Sequence, residues 1–338
     1  MTKLSILDLV RVTQSTDAGA ALWNSRDLAQ HAEKWGYERF WVAEHHNMPG
    51  VASAATAVVI GHIAAGTERI RVGAGGVMLP NHAPIIIAEQ FGTLARLFPG
   101  RIDLGLGRAP GTDQMTSRAL RRGLQVADDF PRDVLELQAF LAPVSPGQTV
   151  QAVPAAGTEV PLWILGSSTY GAHLAAEFGL PYAFASHFAP EMLIPAMHIY
   201  RDRFKPSAQL DRPYAVAGVN IIAAKTDAEA RRLATSQQVS FVNRLRGIGG
   251  LSQPPIDDIE TYWTPFEKAE CLQRLSRSII GSTETVQAGL EALIAETRAD
   301  ELMIVSDIFD HPARLESFER IAGAGHLMRG AALISGLT

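Results

Sequence analysis

The sequence predicts an α/β chain folded as a closed (β/α)8 TIM barrel with loop insertions. Short apolar runs alternate with longer helical patterns until eight strands have been laid down, and parallel strands need long crossovers of this kind. The chain's 338 residues suit one large barrel better than one average domain. Hydrophobic residues make up 47% and charged residues 19%, which supplies a sizeable core and carries no signature of disorder. An open doubly wound sheet with an extra domain shares the alternation and stays open as the competing arrangement.

Taken in order, residues 4–12 form an apolar first strand, and residues 25–35 a helix that stops at Gly36. The next strand, 39–43, feeds a helix over 53–65 with Ser53 at its start, and strand 70–74 precedes a helix over 85–97 closed by Pro99-Gly100. Strand 101–106 leads into a long helix from about 114 to 141. The second half continues with strand 162–165, helix 169–178, strand 182–185, helix 191–204, strand 215–223 and helix 227–246. Helix 283–297, strand 302–305 and helix 311–324 complete the set. Residues 1–338 therefore read as a single barrel domain. Two segments break the alternation: 143–161, with Pro146-Gly147 and Ala155-Ala156-Gly157, reads as an insertion loop, and 247–266, with Gly249-Gly250 and Pro254-Pro255, as a candidate lid loop.

The formal net charge is −5, and no long basic run or basic helix face is present, so nucleic acid and anionic membrane are poor partners. Cys271 is the single cysteine, which excludes an intramolecular disulfide and a cysteine zinc site and suits a reducing, cytoplasmic setting. Asp8 and Arg11 interrupt the first apolar segment too early for a secretory leader, and residues 51–65 are too short to span a bilayer core of about 30 Å.

Barrel enzymes place their chemistry at the carboxyl ends of the strands. There the apolar run Phe40-Trp41-Val42-Ala43 breaks into Glu44-His45-His46, a carboxylate beside imidazoles that titrate near neutral pH. A helix start with one packed and one solvated histidine fits the triplet equally. After the third strand, Gly75-Gly76 leaves backbone bare for close approach to a flat ligand, or forms a bulge. Arg108 follows strand 101–106 and suits an anion, although a surface ion pair satisfies it too. Gly166-Ser167-Ser168-Thr169-Tyr170 opens a helix, as a phosphate cradle or an ordinary cap. Trp41, Met78, His187 and Phe188 either line the pocket or pack the core. A metal at Glu44-His45-His46 is disfavoured, since successive residues of an extended segment point to opposite sides. No nucleophile elbow or dinucleotide fingerprint occurs.

Four ordered segments then resemble the bacterial luciferase-like flavin-dependent monooxygenases, particularly their branch of uncharacterised luciferase-like oxidoreductases. They are Phe40 through His46, Arg71 through Pro80, Gly100-Arg101-Ile102-Asp103-Leu104-Gly105-Leu106-Gly107-Arg108, and Ala175-Ala176-Glu177-Phe178-Gly179-Leu180-Pro181 behind the serine pair. The resemblance implies a barrel that takes FMN in its reduced form, FMNH2, from a separate flavin reductase. With O2 this would give a C4a-peroxyflavin that oxygenates a small organic substrate. By the same resemblance Gly75-Gly76, followed by Val77, carries a cis peptide beside the isoalloxazine. Ser167 and Ser168, with Tyr170, hold the phosphate with Arg108 nearby. His45 is the catalytic imidazole and Glu44 its orienter, with His46 left structural. The light-emitting relatives carry a reactive cysteine where this chain has Gly107, so light emission does not transfer. F420-dependent hydride transfer and non-catalytic flavin binding remain alternatives, and the apolar 51–65 and 85–97 helices, with the family analogy, favour a homodimer.

Overall fold

The computed structural model describes residues 2–109, 114–120 and 129–335. Among these, nine strands form: β1 (Lys3–Asp8), β2 (Arg39–Val42), β3 (Arg71–Met78), β4 (Ile102–Gly107), β5 (Leu162–Gly166), β6 (Tyr182–Phe184), β7 (Ala215–Ala223), β8 (Ile279–Gly281) and β9 (Glu301–Val305). Eight of them pair in parallel around a ring, β1 to β7 in order, then β9, then β1 again. The β6–β7 pairing closes the barrel and excludes the open doubly wound sheet. β8 stands outside the ring and extends the far end of β7, pairing Ile221 with Ile279.

The helices are α1 (Ala18–Trp35), α2 (Thr56–Ala64), α3 (Pro84–Leu97), α4 (Gln114–Ala119), α5 (Phe130–Leu141), α6 (Thr169–Phe178), α7 (Leu193–Arg203), α8 (Asp227–Leu245), α9 (Pro265–Arg274), α10 (Thr283–Thr297) and α11 (His311–Ser335). Their apolar faces explain why the strands are apolar throughout. Alternate strand residues such as Ile6, Phe40, Val72, Leu104 and Ile304 pack outward in the main core with the helices. The residues between them, including Leu7, Trp41, Trp163, Val216 and Met303, fill the barrel interior.

At the amino ends of the strands the interior is ionic. Arg39 donates to Asp103 at 2.7 Å and to Glu301 at 2.8 Å. Arg71 also pairs with Asp103, Trp41 Nε1 donates to it at 3.2 Å, and Tyr214 donates to Glu301 at 2.7 Å. Desolvation disfavours the Arg39 charge, but Glu301 and Asp103 outweigh it and raise the guanidinium's pKa. Gly73 faces this network, where a Cβ would meet the Asp103 carbonyl at 2.5 Å.

Several boundaries differ from the sequence expectation. The first strand ends at Asp8, because the buried Asp8 carboxylate accepts from the Val10 amide at 2.8 Å while Val10 takes φ 48°. The first helix begins earlier, at Ala18, where Asp17 caps the Ala20 amide. The second begins at Thr56, not Ser53, and has no side-chain cap. The glycines expected after the third strand lie inside β3, at a register shift between Ala74 and Val77. The expected 114–141 helix ends early, at Ala119, and α5 begins anew at Phe130; residues 121–128 lie outside the described set.

Segment 143–161 packs on the helices: Ala152 and Ala155 are fully buried, and Ala155 lies so close to Gly92 of α3 that a Cβ there would approach it to 2.3 Å. Segment 247–266 is anchored, since Ser252 pairs with Val12 and Gln14 through hydrogen bonds of 3.1 and 2.9 Å. Its last two residues belong to α9, which starts with a Thr264–Glu267 capping box.

Candidate active site

A cavity of about 600 Å³ opens at the carboxyl ends of the barrel strands. His45, Gly75, Gly76, Arg108, Ser167, Ser168 and Tyr170 all line it. They come from four different strand ends, so closure of the ring is what brings them together. Met78, His187 and Phe188 line it as well, and Trp41 both borders it and packs the barrel interior. None of residues 247–266 is among the residues that line the cavity.

Two expected residues lie elsewhere. Val77 is buried in the core between barrel and helices, because strand alternation turns Gly76 and Met78 toward the cavity and Val77 away. Glu44 is buried and does not line the cavity. Its Oε1 lies 2.9 Å from His46 Nε2 and 2.8 Å from His82 Nε2, and its Oε2 accepts from the Met78 amide at 3.3 Å. Desolvation raises the Glu44 carboxyl, but hydrogen bonds and charge from His82 and His46 reverse the shift and hold it below its ordinary value. Glu44 thus ties the loop after β2 to the glycine strand. His46 gains a defined partner.

Glu44, His46 and His82 bring ligand-type atoms within 4.8 Å of one another. His45 and His46 do point to different sides, as extended geometry requires. Both carboxylate–imidazole separations are hydrogen-bond lengths. His82 could not be read from local pattern, since it lies 38 residues from Glu44 in sequence.

The glycine strand and the serine loop fit a flat, phosphate-bearing cofactor. The Gly75–Gly76 peptide is cis, and the two residues present backbone alone to the cavity. Side chains have no room there: a Cβ at Gly75 would meet Leu7 at 2.7 Å, and one at Gly76 the Gly105 carbonyl at 2.7 Å. Ser168 occupies the N-cap position of α6, yet its side chain makes no cap hydrogen bond, leaving the hydroxyl and the helix-start N–H groups for an anion. Arg108 stacks 4.0 Å above the Tyr170 ring, which holds the guanidinium beside that helix start.

His187, from the loop after β6, was legible only as a possible lining residue. Burial pushes its imidazole down to about 4, with the His45 ring contributing. The folded protein therefore keeps it neutral while the unfolded chain protonates near pH 6.5, so stability falls as pH drops between those values. From pH 6.5 to 5 the loss from this residue is on the order of 2 kcal/mol at most. Urea midpoints measured across that range should flatten in His187→Gln, and parallel profiles for variant and wild type would refute the assignment.

Cys271 is fully buried beside Val242 and Trp263, and desolvation pushes its thiol up to about 12. It is a packing residue. Gly107, by contrast, lines the cavity.

Comparison with known proteins agrees with this geometry. The family model described as luciferase-like monooxygenase matches residues 2–303. A luciferase-like monooxygenase of Escherichia coli (strain K12) is 54% identical over 316 residues, covering 93% of this chain and 94% of the relative. The crystal structure of apo-MsnO8 superimposes with a TM-score of 0.86 at 34% identity, covering 97% of this chain and 99% of that one. Two more distant structures share the fold alone. The oxygenating constituent of 3,6-diketocamphane monooxygenase from Pseudomonas putida, in complex with FMN, has a TM-score of 0.70 at 17% identity and covers 95% of this chain and 97% of that one. An F420-dependent secondary alcohol dehydrogenase, bound to an F420-acetone adduct, has a TM-score of 0.68 at 15% identity and covers 96% of this chain and 98% of that one. With a barrel built around such a cavity and a family match across most of its length, the chain belongs to the luciferase-like monooxygenase family.

Proposed function

We propose that this protein is an FMN-dependent monooxygenase that uses reduced flavin and O2 to oxygenate a small organic substrate. One observation carries the reading: a bare-backbone wall, an anion cradle and an imidazole converge on a single cavity of about 600 Å³. Gly75 and Gly76 would lie against the flat ring system, and Ser167, Ser168, Arg108 and the α6 start would hold the phosphate. When bound, reduced FMN supplies the electrons that activate O2. The chain's own part is to bind, orient and exclude water, with His45 holding or moving a proton at an imidazole nitrogen. His187 stays neutral beside it, so the cavity does not carry two imidazolium charges at neutral pH.

The test mixes the protein with FMNH2 anaerobically, admits O2 and follows flavin absorbance. Reoxidation slower than that of free FMNH2 is the expected result. Reoxidation at the free rate would sink the assignment. The F420 reading predicts the opposite pattern, with tight F420 binding and turnover that consumes no O2.

We place reduction of the flavin on a separate reductase. We also infer a homodimer. Trp23 on α1, Val58 on α2 and Ile86 on α3 are exposed apolar residues, with Val58 72% exposed. Sedimentation velocity should show twice the chain mass, and a Val58→Glu variant should sediment as a monomer.

A further inference from the structure

The cavity has a second polar wall, which the flavin reading does not use. Around the ring, β5 and β1 lie on opposite sides of the barrel, four strand steps apart either way. The serine cradle follows β5. Arg11 follows β1, Asp307 follows β9, and Arg244 and Arg274 reach the same cavity from α8 and α9. Three guanidiniums outside the cradle thus line the cavity, Arg274 reaching the loop after β6, with Asp307 and Glu270 as the carboxylates among them.

These cations are not equally satisfied. Arg11 Nη2 pairs with Asp307 Oδ2 at 3.0 Å, while its Nε is buried without a hydrogen-bond partner among the described residues. Arg274 donates to the Phe188 carbonyl. The Arg244 side chain makes no hydrogen bond or ion pair among the described residues, although it sits close enough to Arg11, Asp307 and Arg274 to feel their charges. Desolvation and the two neighbouring guanidiniums depress its pKa, with Asp307 opposing. Between this wall and the flavin side, Leu7, Leu9, Trp41, Phe241 and Met303 make the cavity apolar. Arg244 and Arg274 are exposed at the cavity mouth, so three guanidiniums offset by two carboxylates present a net positive, solvent-reachable face to an incoming anion.

We propose that Arg244, with Arg11 and Arg274, forms an anion subsite, and that the substrate is a small organic carboxylate whose apolar body extends from these guanidiniums toward His45. A planar guanidinium binds a carboxylate through paired, charge-assisted hydrogen bonds. The inference rests on the reading of the β5 side as the flavin site, since it assigns the opposite wall to the substrate.

The test uses matched probes, 4-phenylbutyrate and its neutral amide, titrated calorimetrically into the full-length protein with and without saturating FMN. In the wild type the carboxylate should bind about tenfold or more tightly than the amide. Arg244→Gln and Arg274→Gln should each erase most of that preference while leaving FMN affinity within about twofold. The Arg244 side chain lacks hydrogen-bond partners among the described residues and is exposed, so its loss should leave the fold intact, and circular dichroism checks this. Equal or absent binding of the two probes overturns the proposal. So does a preference that survives both substitutions, or a large loss of FMN affinity in them, which would give the arginines to the cofactor. A carboxylate preference without any FMN binding would remove the flavin reading and leave the anion subsite standing.

Discussion

His45→Ala should lower turnover by on the order of a hundredfold or more at saturating FMNH2, with FMN affinity changed little. The imidazole projects into the cavity beside the Gly75–Gly76 wall, whereas the groups fitted to the phosphate lie after β4 and β5. Proton transfer and anchoring are therefore served by separate strand ends, and one can be removed without the other. His46→Ala supplies the contrast. It removes one of the two imidazoles on Glu44 but leaves His82 in place, so turnover should fall far less. Rapid-mix turnover with FMNH2 and O2 compares the two variants. Unchanged turnover in His45→Ala would take the residue out of the mechanism.

Asp103→Ala should destabilise the fold by about 3–5 kcal/mol. The carboxylate is fully buried and is shared by Arg39, Arg71 and Trp41 Nε1. Removing it leaves Arg39 with Glu301 as its remaining buried counter-ion and strands the indole donor. A buried charge that loses one of its two counter-ions, together with a buried donor left unsatisfied, is what makes this truncation severe. Asp103→Asn keeps a polar acceptor for the indole and should lose less. Urea denaturation gives both values, and a loss below about 1 kcal/mol in Asp103→Ala would show that the network relaxes around the gap.

The eight barrel strands were legible because each is buried on both faces and so reads as an apolar run between helices. β8 was not. It has three residues, Ile279–Gly281, set between Ser278 and Ser282, too short to show any period. α9 was hidden for a related reason: Gly249-Gly250 and Pro254-Pro255 made its approach look like uninterrupted loop. Residues 9–12 misled in the other direction, since Leu9, Val10 and Val12 are apolar but a buried Asp8 turns the chain.

The site divides along the same line. His45, the glycine pair, Arg108 and the serines announce themselves by falling just after apolar runs. His82 and the arginine wall do not, because what joins them is the ring and not the sequence. Glu44 shows the limit most clearly. Adjacency pointed only to His45, and it did not reveal the hydrogen bonds that Glu44 makes with His46 and His82.

Ring closure also sets a clock for the nascent chain. β1 pairs with β9, Lys3 against Glu301, so the first strand meets one of its two partners roughly 300 residues later. At ribosomal rates of about 5–20 residues per second, the open edge of β1 waits some 15–60 seconds before that partner is made. During that interval the growing chain is an incomplete half-barrel with bare strand edges, the form most prone to pair with another chain. Synthesis of this protein should therefore lean on chaperones late in translation, and arrested chains that stop short of β9 should aggregate where the finished ring does not.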